Sequence, residues 1–162
     1  MAIAPDPRLI LSEEELNAAL ELLMLAEAAL WSAADVVLDA EPDRLGRSHY
    51  RTLFLLRRRP GLGVRELSRL TALSKQAASR TLGDLEQLGL VEKNAGDADA
   101  RRRAATLTTK GAAVEARISE RLRAHVARAY RSGGLDSVAG ARRILTALAG
   151  GRASPGRTAK EA

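Results

Sequence analysis

Apolar residues recur between Ser12 and Asp39 at Leu16, Leu20, Leu23, Ala26, Leu30 and Val37. Their spacing is close to the repeat of about 3.6 residues that marks one face of a helix. Ser12 ahead of Glu13-Glu14-Glu15 forms a capping box, with its acids where the helix dipole is positive. The pattern predicts a long helix, which Glu41-Pro42 stops. Leu22, Leu25, Ala29 and Val36 widen the apolar stripe beyond one face. A helix this apolar in a chain this short needs more cover than one small domain provides, which points to a subunit interface.

Further along, Leu45, Tyr50, Leu53, Phe54 and Leu56 define a helix from about 44 to 58, ended by Arg57-Arg58-Arg59-Pro60-Gly61. Leu62-Gly63-Val64 reads as a short edge strand. Arg65 to Leu70 reads as a short helix with Leu67 and Leu70 inward, and Thr71-Ala72-Leu73 as a turn. Ser74 caps a second helix running to about Leu88, and Gly89 ends it. This is a helix-turn-helix pattern. Leu90 to Lys93 reads as a strand with Leu90 and Glu92 on one face, residues 94–100 as a small-residue turn, and Arg101 to Leu107 as the returning strand. A hairpin directly behind the second helix is a wing. Thr108 caps a long helix to about Arg131, Ser132-Gly133-Gly134 breaks it, and a last helix spans about Leu135 to Leu148.

The predicted fold class is therefore mainly α with a small β-hairpin: a winged helix-turn-helix plus dimerisation helices. The expected divisions are a flexible arm over 1–11, a dimerisation helix over 12–42, the winged lobe over 43–108, further dimerisation helices over 109–149 and a disordered tail over 150–162. The tail is low in apolar residues.

Charge adds a direction to this division. The 162 residues carry a net +6, but residues 1–42 hold one base and nine acids, whereas residues 43–111 hold fifteen bases and seven acids. Residues 112–162 hold ten bases and four acids. A basic centre in such a chain is an electrostatic footprint for nucleic acid. Aromatic residues are only 2% of the chain, which argues against a base-stacking single-strand platform. The absence of cysteine excludes disulfides, thiolate nucleophiles, Cys-ligated zinc and thiol oxidation sensing. The first residues have neither a basic nor an apolar targeting region, and no stretch of about 18 apolar residues occurs, so a cytoplasmic protein without membrane contact is expected.

At about 100° per residue from Ser74, the side chains of Lys75, Gln76, Ser79 and Arg80 gather with Gly83 on one side of the second helix. Ala78, Leu82, Leu85 and Leu88 gather on another and form the core seam. A helix fits the major groove of duplex DNA, and these polar side chains suit base edges and phosphates. Two histidines, His49 and His125, lie far apart and lack metal-ligand spacing, so no metal site is expected. Ser74 and Ser79 have no neighbouring His, and Gly61-Leu62-Gly63 lacks a following Gly-Lys-Ser. No catalytic constellation or cofactor motif emerges, and no enzyme is expected.

The run from Leu67 to Leu82, followed by Leu85-Glu86, Gly89-Leu90-Val91-Glu92, Asp99-Ala100-Arg101-Arg102-Arg103, Leu107-Thr108 and Gly111, resembles the multiple-antibiotic-resistance regulator (MarR) family. The Asp-x-Arg followed by Leu-Thr-x-x-Gly is the most specific part. The resemblance covers about residues 45–115 and implies a homodimeric bacterial transcription regulator, usually a repressor. It places Ser74, Lys75, Gln76, Ser79 and Arg80 in the major groove of a pseudo-palindromic operator. Asp99 would brace the wing and Arg101 probe the minor groove, with Arg102 or Arg103 able to share either role. Family members often bind small, frequently aromatic, anionic effectors between the dimer helices and the DNA-binding lobe. Trp31, His49, Tyr50 and Arg51, near the junction of the first two helices, are the implied ligand candidates. Two other readings stay open: a sequence-indifferent architectural DNA binder driven by arginine, and a ligand-binding dimer that has lost DNA binding.

Overall fold

The computed structural model describes residues 9–95 and 103–150. Its elements are α1 (Glu13–Leu38), α2 (Arg47–Arg58), α3 (Val64–Thr71), α4 (Lys75–Gln87), β1 (Val91–Ala95), β2 (Arg103–Leu107), α5 (Thr109–Gly133) and α6 (Leu135–Ala149). The mainly helical fold with one small hairpin is as expected. Leu53, Leu56, Leu67, Leu82, Leu85, Leu90 and Ile118 are its fully buried centre. α2, α3, α4 and the hairpin pack together, and α5 lies against both α2 and the C-terminal part of α1.

α1 starts where its capping box directs. The Glu15 carboxylate accepts from the Ser12 backbone N–H at 2.8 Å, and the Ser12 hydroxyl accepts from the Glu15 N–H at 3.2 Å. These bonds hold the Glu15 carboxyl below its ordinary range. Only Trp31, Ala34 and Leu38 of α1 are buried. Leu16, Leu20, Leu22, Leu23, Met24 and Leu25 are all exposed in the single chain. α6 likewise buries nothing, and Leu135, Ile144, Leu145 and Leu148 face outward.

Four boundaries differ from the sequence reading. α2 begins at Arg47 because the chain turns at Arg44, whose φ is 49°, and Gly46 becomes the N-cap. Leu62-Gly63-Val64 is not a strand: Leu62 alone bridges Ala105 of β2, Gly63 is the extended N-cap of α3, and Val64 already opens that helix. Leu90 lies ahead of β1 and does not share a face with Glu92. Its N–H donates to the Leu85 carbonyl at 2.9 Å as the chain leaves α4 through Gly89 (φ +66°), and its side chain is buried while Glu92 is exposed. α5 also continues two residues beyond Arg131, through Gly133, and breaks at Gly134 with φ 77°.

The two strands pair antiparallel from Val91↔Leu107 to Ala95↔Arg103. The tip of the hairpin, most of the expected arm and most of the expected tail lie outside the described residues. Among the described residues no helix is long and apolar enough to cross a membrane.

A joint behind the hairpin fixes how α5 meets α4. The Thr108 hydroxyl donates to the Gly89 carbonyl at 2.7 Å and accepts from the Gly111 N–H at 3.0 Å. The Thr108 N–H donates to the Leu90 carbonyl at 3.1 Å. Gly111 closes the joint, because a Cβ there would stand 1.9 Å from the Leu90 carbonyl oxygen. The obstacle is backbone, so the helices themselves must separate to admit a methyl group. Gly111→Ala is expected to cost at least about 3 kcal/mol in urea unfolding, the upper end of overpacking penalties. Gly83→Ala, at a site with nothing within 4 Å of the added Cβ, is expected to hold or raise stability.

Candidate functional site

α4 is positioned by its buried face. Ala78, Thr81, Leu82 and Leu85 turn inward against α2 and α3. This leaves Lys75, Gln76, Ser79 and Arg80 exposed along one outer face, as the spacing predicts. Ser74 is exposed too, but its hydroxyl is committed: it accepts from the Ala77 N–H at 3.1 Å and caps the helix. The turn before α4 is held by the Ser68 hydroxyl, which donates to the Leu73 carbonyl at 2.7 Å, and by Ala72 in the left-handed region at φ 58°. The hairpin stands at the other end of α4, tied to it by an ion pair between Lys93 of β1 and Glu86. Arg103 opens β2, with its backbone paired to Ala95. Asp99, Arg101 and Arg102 lie outside the described residues.

The four ligand candidates do not stay together. Trp31, Tyr50 and Arg51 line one cavity of about 720 Å³ between α1, α2, α5 and the turn of the helix-turn-helix. His49 is not among its lining residues. Its Nδ1 accepts from the Gly46 N–H at 2.9 Å, supplying the cap that the glycine lacks, and its Nε2 faces Asp84 of α4 at 3.5 Å. His49 therefore joins α2 to α4. The cavity also takes Phe54 and Leu55 from α2, Leu70 and Thr71 from α3, Ala72 from the turn, and Leu122, Arg123, Val126 and Tyr130 from α5. The α5 residues were invisible as partners in the sequence, since only the tertiary fold brings them beside α2.

Most of the lining is apolar, with polar groups gathered at two places. At one, Tyr50 and Ser119 are 2.9 Å apart, and the Ser119 hydroxyl donates to the buried Glu115 carboxylate. With the serine proton committed to Glu115, the Tyr50 O–H donates to Ser119 and its oxygen keeps only acceptor capacity. Burial raises the Tyr50 phenol above its ordinary value. At the other place, the Arg51 guanidinium lies 4.5 Å from the Trp31 ring centre and 3.5 Å from the Glu27 carboxylate. Outside the lining, the Arg47 guanidinium is 5.5 Å from the same ring and forms a two-point ion pair with Asp35 at 2.9 and 2.5 Å. That pair holds the Asp35 carboxyl below its ordinary range.

A winged helix-turn-helix with an outward polar helix and long helices at both ends defines the class of protein. A model of the MarR family matches residues 45–102. The chain is 36% identical over 140 residues to the HTH-type transcriptional regulator PetP of Rhodobacter capsulatus, covering 86% of this chain and 83% of that one. The crystal structure of the Mycobacterium tuberculosis MarR family protein Rv2887 in complex with DNA matches with a TM-score of 0.59 at 30% identity, over 79% of this chain and 94% of that one. The same protein in complex with p-aminosalicylic acid matches with a TM-score of 0.59 at 29% identity, over 80% and 97%. The chain belongs to the MarR family of transcription regulators.

The Tyr50 phenol carries its own test. Its folded pKa is raised, so the stability it confers is fully present below the unfolded value of about 10. That contribution is lost as pH rises through the folded value. Urea midpoints measured from pH 8 to above pH 11 are expected to fall more steeply for the parent than for Tyr50→Phe, which has no proton to lose.

Proposed function

We propose that the chain acts as a homodimer that reads a pseudo-palindromic operator, represses transcription there, and is relieved by a small aromatic anion. The observation that carries the reading is the outward face of α4, Lys75, Gln76, Ser79 and Arg80, beside a hairpin whose sequence continues into Arg101-Arg102-Arg103. A helix presenting these groups suits the major groove, and an arginine on a wing suits the minor groove. Dimerisation is supported by the apolar residues left open on α1 and α6, too many for a single chain to leave in water. In such a dimer the two α4 helices would stand about one DNA turn, roughly 34 Å, apart. DNA bound to Rv2887, at 30% identity, supports the nucleic-acid reading.

The effector reading rests on the cavity. Its apolar walls suit an aromatic ring, and Arg51 and Arg123 in its lining suit an anionic substituent. p-Aminosalicylic acid bound to Rv2887 is a ligand of that chemistry. The turn residues Thr71 and Ala72 form part of the same wall, so a molecule held there touches the joint that sets α3 against α4.

Gel-shift titration against the DNA upstream of the chain's own gene tests the reading, with random DNA of equal length at the same salt. Arg80→Ala and Arg101→Ala are each expected to weaken specific binding by about 1–3 kcal/mol. Binding by both variants at parental strength, or a parent that does not distinguish its operator from random DNA, overturns it.

A further inference from the structure

We infer that Arg51 is an exchange cation: it pairs with Glu27 of α1 when the cavity is empty and with the anionic group of the effector when it is filled. The inference rests on the effector reading above and adds what the binding event does to the protein. Among the described residues, Arg51 alone lines the cavity, stacks on Trp31 and meets a carboxylate of α1 at the same time. Its partner is loosely held. In the single chain the Glu27 side chain is 65% exposed, its oxygen stands 3.5 Å from the guanidinium, and it also accepts from the Trp31 indole N–H at 3.3 Å. An ion pair that exposed is easily surrendered.

An anion entering the cavity meets the same guanidinium in a site walled by Leu30, Phe54 and Leu55, where less water competes for it. Arg51 keeps its place over the indole and changes its carboxylate. Glu27 is then released, and α1 loses one of its two ionic ties to α2; the other, Arg47 with Asp35, lies clear of the cavity lining. Filling the cavity thus removes one weak tie between the long helix and α2 at a defined point.

Trp31 is the only tryptophan of the chain, so its fluorescence reports this site alone. Titration of the full-length protein with benzoate, at fixed ionic strength, gives the affinity. Glu27→Gln removes the competing carboxylate and is expected to tighten benzoate binding about two- to fivefold, the range of an exposed ion pair. Arg51→Met is expected to weaken it at least about tenfold, as for a lost charge-assisted hydrogen bond. Asp35→Asn breaks the other ion pair at the same indole and is expected to leave the affinity at the parental value.

Equal tightening by Glu27→Gln and Asp35→Asn overturns the exchange, since it shows a general loosening of α1. So does parental affinity in Glu27→Gln together with weak binding in Arg123→Met, which assigns the anion to Arg123. In both cases the effector reading survives. A parent that shows neither a fluorescence change nor a melting shift with millimolar benzoate, salicylate or 4-hydroxybenzoate removes the effector reading and the exchange with it.

Discussion

The contact between Gly111 and the Leu90 carbonyl is the constraint on which the placement of α4 depends. α4 can be aimed at a partner only if both its ends are fixed. Its N-terminal end is fixed by the tight turn through Ala72 and by the Ser74 cap. Its C-terminal end runs through Gly89 into Leu90, and there Thr108, Lys110 and Gly111 of the following helix meet it. The Lys110 ammonium donates to the Leu88 carbonyl at 3.0 Å and pairs with Asp43 at the same distance. The carbonyls just beyond α4, those of Leu88, Gly89 and Leu90, are thus satisfied by Thr108 and Lys110 at the start of α5. Backbone touches backbone, with no flexible side chain between them to absorb movement. Any rotation of α5 is passed on to α4 and to the root of the hairpin.

Local chemistry was legible wherever it is carried by neighbours in the chain. Ser12, Ser74 and Thr108 cap the helices their positions announced, and the spacing of Ala78, Leu82 and Leu85 separated the buried face of α4 from its polar one. What depended on distant partners was not legible. His49 sits one position from Tyr50 and two from Arg51, and on sequence grounds belonged with them. Helical geometry turns it about 100° away per residue, toward the open N-terminus of α2. A signal was present: a glycine at the N-cap leaves an unmet N–H, and a residue three positions on is the one that reaches back to it. The cavity residues Arg123 and Tyr130 carried no comparable signal, because their roles come only from α5 crossing α2.

The uneven charge acquires a structural meaning. The acidic first segment does not merely avoid the basic lobe; it is stitched to it. Asp35 meets Arg47, Glu27 meets Arg51, and Glu41 meets Arg117 of α5 through a two-point contact at 3.1 and 2.8 Å. These three are not equivalent. The Glu41 side chain is only 6% exposed, so removing Arg117 would leave a poorly solvated charge. Glu27 is mostly in water, and its pair contributes little to holding the helix. The firm attachment of α1 is therefore near its C-terminal end, where Trp31, Ala34 and Leu38 are buried and Glu41 is pinned.

That gradient sets what the seam between α1 and the lobe can transmit. A uniformly apolar seam would hold or break as a whole, because packed cores move between discrete arrangements. Here an apolar plug fixes the pivot at Leu38, and the bond next to the cavity is the weak one. Occupation of the cavity can then alter the weak bond without unfolding the plug. On one side the change reaches α1, whose leucines are exposed in the single chain and form the proposed dimer surface. On the other it reaches Thr71 and Ala72, the turn that aims α4. The same 720 Å³ cavity thus touches α1, through Leu30 and Trp31, and the turn ahead of α4, through Thr71 and Ala72.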